Sequence, residues 1–341
     1  MEITPKVPTI ILGYAGFNAE LRLQHVLVNR TCREMTLAEK GLQYAEELFL
    51  KNLADIYKVM QWNDRHNIRF YRLSSDIAPH ITNPTFLTET QKSDVTQLAY
   101  DLTKFTKQLQ KIGRYIRENN IRLTFHPDLF AVLNSETDLI VLKTFRDLHF
   151  HATILDLMEL DYNSVIVLHG GGVYGNKPAA MTRWIANFNR LPLYIKRRVV
   201  LENDETSYNI EDVLKMSSMV DPFPIDLSSL VPVPVVFDIF HYYCYNIMLA
   251  KSSLVTYTQP SVTDILPKVL KTWGTRHMKM HISEQDPNLS TGAHADFVNI
   301  IPDELFDFVK QTEKDLYLMI ESKYKEESVL FLRKKYGDRV N

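Results

Sequence analysis

Short apolar runs recur along the chain, each closing on a polar residue and most followed by a stretch with apolar positions at helical spacing. They fall at 9–14 (TIILGY), 68–74 (IRFYRLS), 121–126 (IRLTFH), 164–169 (SVIVLH), 198–203 (RVVLEN), 234–238 (PVVFD), 277–281 (HMKMH) and 317–321 (YLMIE). Near-continuous apolar runs of this length predict strands buried on both faces, as in a parallel sheet. Helical periodicity predicts helices over 36–62, 96–118, 138–160, 177–190, 210–216, 261–271 and 302–312. The first is expected to open on a capping box, Thr36-Leu37-Ala38-Glu39, with Thr36 as N-cap. Eight strands alternating with helices point to an α/β chain folded as a (β/α)8 (TIM) barrel, in preference to an open doubly wound sheet. No Gly/Ser linker or low-complexity stretch divides it, so 1–341 reads as a single domain.

Composition narrows the class. With 45% hydrophobic and 23% charged residues over 341 positions, the chain can build a large core and is neither disordered nor fibrous. No apolar run reaches the ~18 residues of a membrane span, and the opening MEITPKVPT lacks a signal-like apolar segment. Cys32 and Cys244 give no disulfide framework and no redox or zinc spacing. An intracellular location is therefore expected, in the cytoplasm or nucleoid of a prokaryote or the nucleus of a eukaryote. The 39 basic and 41 acidic residues leave a net charge of −2, which excludes nucleic-acid binding by counterion release alone. Such a role must rest on bound cations or on local patches such as Lys196-Arg197-Arg198 and Arg333-Lys334-Lys335, runs that also read as solvated surface.

The strand ends carry the chemistry. Seven of the runs finish at Tyr14, His126, His169, Glu202, Asp238, His281 and Glu321. In a barrel those ends share one face, where the βα loops build the active site. One strand-end histidine is usually structural; this many histidines and carboxylates on one rim read as a metal site. His241, three residues after Asp238 in DIFH, can reach the same ion across a turn. Imidazole and carboxylate together suit Zn, Mn or Fe better than Mg or Ca. The donors exceed what one tetrahedral ion accepts, so two or three metals are implied, a constellation suited to phosphodiester hydrolysis. GGGVYG at 170–175 matches neither the Walker nor the dinucleotide fingerprint; it either turns the chain after His169 or lets backbone pass close to a ligand.

With those residues placed, the chain resembles the ultraviolet-damage endonucleases, barrel relatives of endonuclease IV. The matching segments are LGYAGFN, VNRTCR, FHPD, VLHGGGVYG, VLENDE, FDIFH, KMHISEQDP, GAHADF and MIESK, in order from residue 12 to 323. The resemblance implies metal ligation by His126, His169, Glu202, Asp238, His241, His281, His294 and Glu321. Of these, Glu202 and His241, with Lys279, are expected at the catalytic centre. Lys279 matches a lysine that can be carboxylated; an unmodified lysine holding a phosphate is the alternative. Tyr14 and Asn18 match residues that contact the substrate near the lesion. Lys323 is expected as a phosphate partner or as plain surface charge. Two positions depart from the pattern. The usual Gln-Tyr that probes the base stack is here Leu129-Phe130, keeping a stacking surface but losing a hydrogen-bonding handle. A histidine found near position 83 in the family is here Asn83, with His80 nearby as a possible substitute.

The expected activity is metal-dependent cleavage of the phosphodiester immediately 5′ of a UV photoproduct or other damaged nucleotide in double-stranded DNA, leaving a 3′-hydroxyl and a 5′-phosphate. Two or three transition ions, Mn or Zn, serve as cofactors; no membrane and no obligate protein partner is implied, and a monomer is expected. The same barrel and ligand types serve sugar isomerases and AP endonucleases, and a non-catalytic damage-binding protein would share them too. A nuclease needs a broad groove with phosphate-facing cations such as Arg30, Arg33 and Lys323, whereas an isomerase needs a closed pocket. Leu129 and Phe130 are either buried under the loop or exposed to enter the duplex.

Overall fold

A computed structural model of the chain describes residues 7–225, 230–251 and 257–341. Eight parallel strands form the centre: β1 (Ile10–Gly16), β2 (Phe70–Leu73), β3 (Arg122–Thr124), β4 (Ile166–His169), β5 (Val199–Glu202), β6 (Val235–Asp238), β7 (Lys279–Ile282) and β8 (Leu316–Ile320). Their hydrogen-bonded order is β3-β2-β1-β8-β7-β6-β5-β4. The ring closes between β3 and β4, where Phe125 N donates to Val165 O at 2.9 Å and Val167 N donates to Phe125 O at 3.0 Å. Each strand lies where an apolar run predicts one. The (β/α)8 barrel is therefore the fold. A short antiparallel pair, Phe223–Pro224 with Leu230–Val231, stands outside it.

Strand alternation sorts the side chains into two sets. Leu12, Tyr14, Leu123, Phe125, Met280, Ile282, Leu318 and Ile320 point outward into the large core shared with the helices. Ile11, Ala15, Phe70 and Met319, with Tyr317 against them, fill the interior of the barrel. The same parity that points Met280 and Ile282 outward turns Lys279 and His281 inward. An apolar plug thus divides the interior, with polar groups gathered towards its carboxyl end.

The helices differ from expectation at two starts. The helix expected from Thr36 begins at Glu34, stops at Gly41 with φ 78°, and resumes as Leu42–Arg65. Thr36 lies inside the first piece and caps nothing; the left-handed Gly41 is the real punctuation. The helix expected from residue 96 begins at Thr106 after a 3-10 turn at Leu102–Phe105, capped by Asp101. Among the described residues two long helices escaped the pattern, as did the single turns Ala19–Leu23, Glu89–Ser93 and Leu193–Lys196. Ile239–Lys251 starts directly at the end of β6, and its mostly apolar composition hides its periodicity; Lys325–Tyr336 is too evenly charged to show one. Among the described residues no helix is long and apolar enough to cross a membrane.

Candidate metal centre

Glu202 stands at the middle of the carboxyl face. It ends β5, is buried, and touches histidines from both sides. His126 Nε2 lies 3.0 Å from its Oε2, and His281 Nδ1 lies 2.6 Å from its Oε1. His169 Nε2 is 3.7 Å from Oε2 and His241 Nδ1 is 3.9 Å from Oε1. Glu321, just past β8, reaches His281 Nδ1 at 3.2 Å and His294 Nδ1 at 3.9 Å. All eight ligand candidates thus converge on one face. Three subsets have donor atoms within 4.8 Å of one another: His126, His169 and Glu202; Glu202, Asp238 and His241; Asp238, His281 and Glu321. Glu202 and Asp238 each belong to two subsets, the arrangement expected of ligands shared between neighbouring ions.

Local structure fixes each donor. Asp238 ends β6 and also accepts from His241 N at 2.8 Å, so it caps the helix that carries His241 on its first turn. Asn203 ties the ends of β5 and β6 together, accepting from Asp238 N at 2.9 Å and donating to Asp238 O at 3.0 Å. His294 arrives on a loop stapled by Gln285, whose Oε1 accepts from Gly292 N at 2.9 Å and whose Nε2 donates to Ser290 O at 3.0 Å. In the glycine run, Gly171 has φ +81°, and a Cβ there would meet Asn134 Oδ1 at 2.4 Å; the run packs on protein as it turns away from His169.

Burial and mutual charge set the protonation states of the cluster. Burial pushes His169 and His281 down to about 4, leaving both imidazoles neutral at neutral pH. Burial opposes the charge on Glu202, but His281 and His169 outweigh it and hold the carboxyl well below its usual range. Asp238 goes the other way, up to about 7, through burial and the charges of Glu202 and Glu321. Burial also disfavours the His241 cation, yet Asp238, Glu202 and Glu205 lift it to about 10. Three carboxylates crowded this closely draw positive charge into the cluster. Asp238 Oδ2 and His169 Nδ1 are buried with no hydrogen-bond partner among the described residues, a state that divalent ions relieve at the carboxylate. Neutral His169 and His281, an ionised Glu202 and the orphaned Asp238 oxygen fit transition ions, whereas at Asp238 and His241 an ion would take the place of the proton the pair holds.

Lys279 lies two residues before His281 on the inward face of β7 and is fully buried, with Nζ 2.5 Å from His281 Nε2. Burial and the nearby Arg72 guanidinium hold its amine well below the lysine range. Arg72 escaped the sequence reading. It follows the inward-facing Phe70 by two, so strand alternation was the available signal, and it forms an ion pair with Glu321 while lining the cleft above the cluster.

The other expected residues separate. Leu129 and Phe130 are 75% and 89% exposed, on the loop beyond His126. That loop parts two cavities: a cleft of about 540 Å³ over the ligand cluster and a second of about 800 Å³ on its far side. Asp128, Leu129, Val132 and Gly172 line both. Tyr14 and Asn18 are not brought to the rim. β1 continues to Gly16, and alternation turns Tyr14 outward, where its hydroxyl donates to Asn63 Oδ1 at 2.7 Å and accepts from Asn18 Nδ2 at 3.0 Å. Asn18 also caps the short helix Ala19–Leu23. Lys323 is exposed but pairs with Asp296 at 2.7 Å and Asp286 at 3.5 Å. Arg30 turns away from the cleft to Asp55 at 2.6 Å, whereas Arg33 is exposed. His80 Nε2 sits 2.8 Å from Cys32 O in the second cavity's wall, outside the ligand cluster.

Comparison with known proteins agrees with this geometry. Residues 10–340 match the profile of the family described as UV-endonuclease UvdE. A protein of Acanthamoeba polyphaga mimivirus, provisionally named a UV-damage endonuclease, is 35% identical over 334 residues, covering 96% of this chain and 92% of the relative. The UV DNA damage endonuclease of Clostridium perfringens is 30% identical over 298 residues, covering 86% of this chain and 65% of the relative. The crystal structure of SacUVDE superposes with a TM-score of 0.75 at 27% identity, covering 96% of this chain and 98% of that one. Near-complete coverage by profile, sequence and structure places the chain in the UV-endonuclease UvdE family.

Proposed function

We propose that the protein is a metal-dependent DNA repair endonuclease that hydrolyses the phosphodiester immediately 5′ of a UV photoproduct or other damaged nucleotide, leaving a 3′-hydroxyl and a 5′-phosphate. The observation that carries this reading is the three overlapping ligand sets joined through Glu202 and Asp238. Two or three Mn or Zn ions fit these sets, with His294 completing the shell near Glu321. When bound, the ions supply a water that ionises near neutral pH and positive charge for the developing oxyanion. Glu202 orients His126 and His281 around the centre. Arg72 steadies Glu321 and is the one arginine or lysine among the described residues that line the cleft.

Lys279 is the candidate for carboxylation. Its amine is buried beside His281 and held well below the lysine range, so the uncharged amine could react with CO2, forming an N–C bond with loss of one proton and leaving a carbamate anion at the metals. A direct phosphate contact is the poorer reading, since the side chain has no exposed surface.

Leu129 and Phe130 would enter the duplex and take the place of unstacked bases. Damage lowers the cost of extruding a nucleotide, and aromatic stacking stabilises the gap that remains. Tyr14 and Asn18, bonded to each other and to Asn63, would act from beneath by fixing the end of β1. An open cleft shared across the loop suits a polymer better than the closed pocket of a sugar isomerase.

The direct test is nicking of a UV-irradiated plasmid against an unirradiated control, with and without chelator. The reading predicts nicks in irradiated DNA alone, abolished by chelator. Equal nicking of both plasmids would refute damage specificity, and tight lesion binding without nicking would make this a binding protein instead.

A further inference from the structure

The amino end of the barrel holds two arginines that the nuclease reading does not use. Arg122 opens β3 and Arg276 precedes β7; they are 5% and 6% exposed. Their guanidinium carbons lie 5.5 and 5.7 Å from the ring centre of Trp273, and Arg122 also stacks over Tyr317 at 4.6 Å and Phe70 at 5.6 Å. Arg122 donates through Nε to Asn163 O at 2.7 Å, and Arg276 through Nη1 to Arg197 O at 2.9 Å. Nη1 and Nη2 of Arg122, with Nε and Nη2 of Arg276, are buried and have no hydrogen-bond partner among the described residues.

Arg198, at the same end of the barrel, shows what a satisfied buried arginine looks like here. It is 2% exposed; Nε and Nη2 donate to Asp156 Oδ1 at 2.9 and 2.5 Å. Its Nη1 donates to Asp161 O and Ser164 O, and Nη2 also reaches Leu160 O. Among the described residues no carboxylate forms an ion pair with Arg122 or Arg276, although the Asp161 charge acts on Arg122 from further away. Burial pushes them down to about 10 and about 9, the second also through repulsion from the first. Unpaired buried cations are strongly unfavourable, and forked guanidinium donors match oxyanions in geometry. A cavity of about 300 Å³ opens beside Arg276, lined also by Leu270, Met278, Glu313, Lys314 and Asp315, and Arg122 lies outside its lining, behind Trp273.

We propose that Arg122 and Arg276 form a binding site for a small oxyanion, of the phosphate, sulfate or carboxylate class, at the amino end of the barrel. The anion would supply the missing acceptors and join the starts of β3 and β7. This site lies at the opposite end of the barrel from the metal centre and stands independently of the nuclease reading.

The test is the melting temperature of the full chain in phosphate from about 1 to about 50 mM at fixed ionic strength, with sulfate and acetate arms. The wild type should rise by roughly 3 °C in at least one arm, and Arg276→Met and Arg122→Met should each lose most of that rise. Both variants keep the metal centre, so phosphate bound there cannot mimic the result. A flat wild-type response in every arm, or an equal rise in the variants, would overturn the proposal. Should Arg122→Met fail to fold, crystals grown in selenate decide: an anomalous peak between the two guanidiniums supports the site, and water alone there rejects it.

Discussion

The strand-end cluster and the Leu129-Phe130 loop lie only a few residues apart after β3, yet they are built on opposite principles. Glu202, Asp238 and His281 sit on adjacent strands, buried, with their positions set by sheet register and by Asn203. Leu129 and Phe130 stand in solvent with cavities on both sides. The cluster has excess polar groups that call for ions. The loop has excess apolar surface, unfavourable in water, that calls for a stacked partner. In the proposed function chemistry belongs to the rigid part and recognition to the exposed part, so variants in the two regions should fail differently.

The largest effect should come from Glu202→Gln. It removes the carboxylate shared by two ligand sets, and metal-borne transition-state stabilisation of several kcal/mol corresponds to a loss of about 10³-fold or more in nicking. Melting of the apo variant should remain cooperative and lesion binding measurable, because the loop is untouched. Loss of lesion binding together with nicking would collapse the distinction between the regions.

Lys279→Met should cost about 10–100-fold in nicking rate, the range typical of groups that tune metal ligands. Methionine keeps most of the buried volume but cannot be carboxylated. Density at the Lys279 terminus in metal-loaded crystals gives a separate reading: a carboxyl group supports the modification, and a bare amine rejects it without touching the nuclease assignment.

Phe130→Ala should weaken binding to lesion DNA by about ten-fold, since one base stacked on an aromatic is worth about 1–3 kcal/mol. The melting temperature should hardly move, because the ring packs on little in the free protein. A large fall in stability with unchanged binding would make Phe130 a structural residue.

Lys323→Ala is expected to be the mildest change, below about three-fold in binding, because Asp296 and Asp286 already pair the amine and exposed pairs of this kind contribute little. A salt titration of binding reads it: an unchanged slope matches the pairing, and a slope reduced by about one unit would restore Lys323 as a phosphate contact.

Much of the rigid region was legible in the sequence because strands write their ends plainly. The apolar runs locate all eight strands, and the polar residues closing β4, β5 and β6 are the donors observed. Lys279 and His281 could be placed on one face by their spacing of two. Tyr14 misled for the same reason in reverse: β1 runs two residues further than its apolar run, and parity sends the ring outward to Asn63. Arg72 was missed because it lies inside an apolar run, not at its close. His294 was out of reach of periodicity and needed the family resemblance, since a loop held by Gln285 has no period. Exposure of Leu129 and Phe130 was undecidable from residue type, because apolar side chains at a loop tip are buried or exposed according to what the rest of the fold places above them.

The central claim is that the strand-end cluster holds the ions on which cleavage depends. Metal content per chain, measured by mass spectrometry alongside nicking of irradiated plasmid before chelation, after it and after Mn or Zn is restored, tests this most directly. The account predicts two or three ions per chain, nicking lost with them, and recovery on return of metal in the wild type but not in Glu202→Gln. Full nicking by metal-free protein would contradict it.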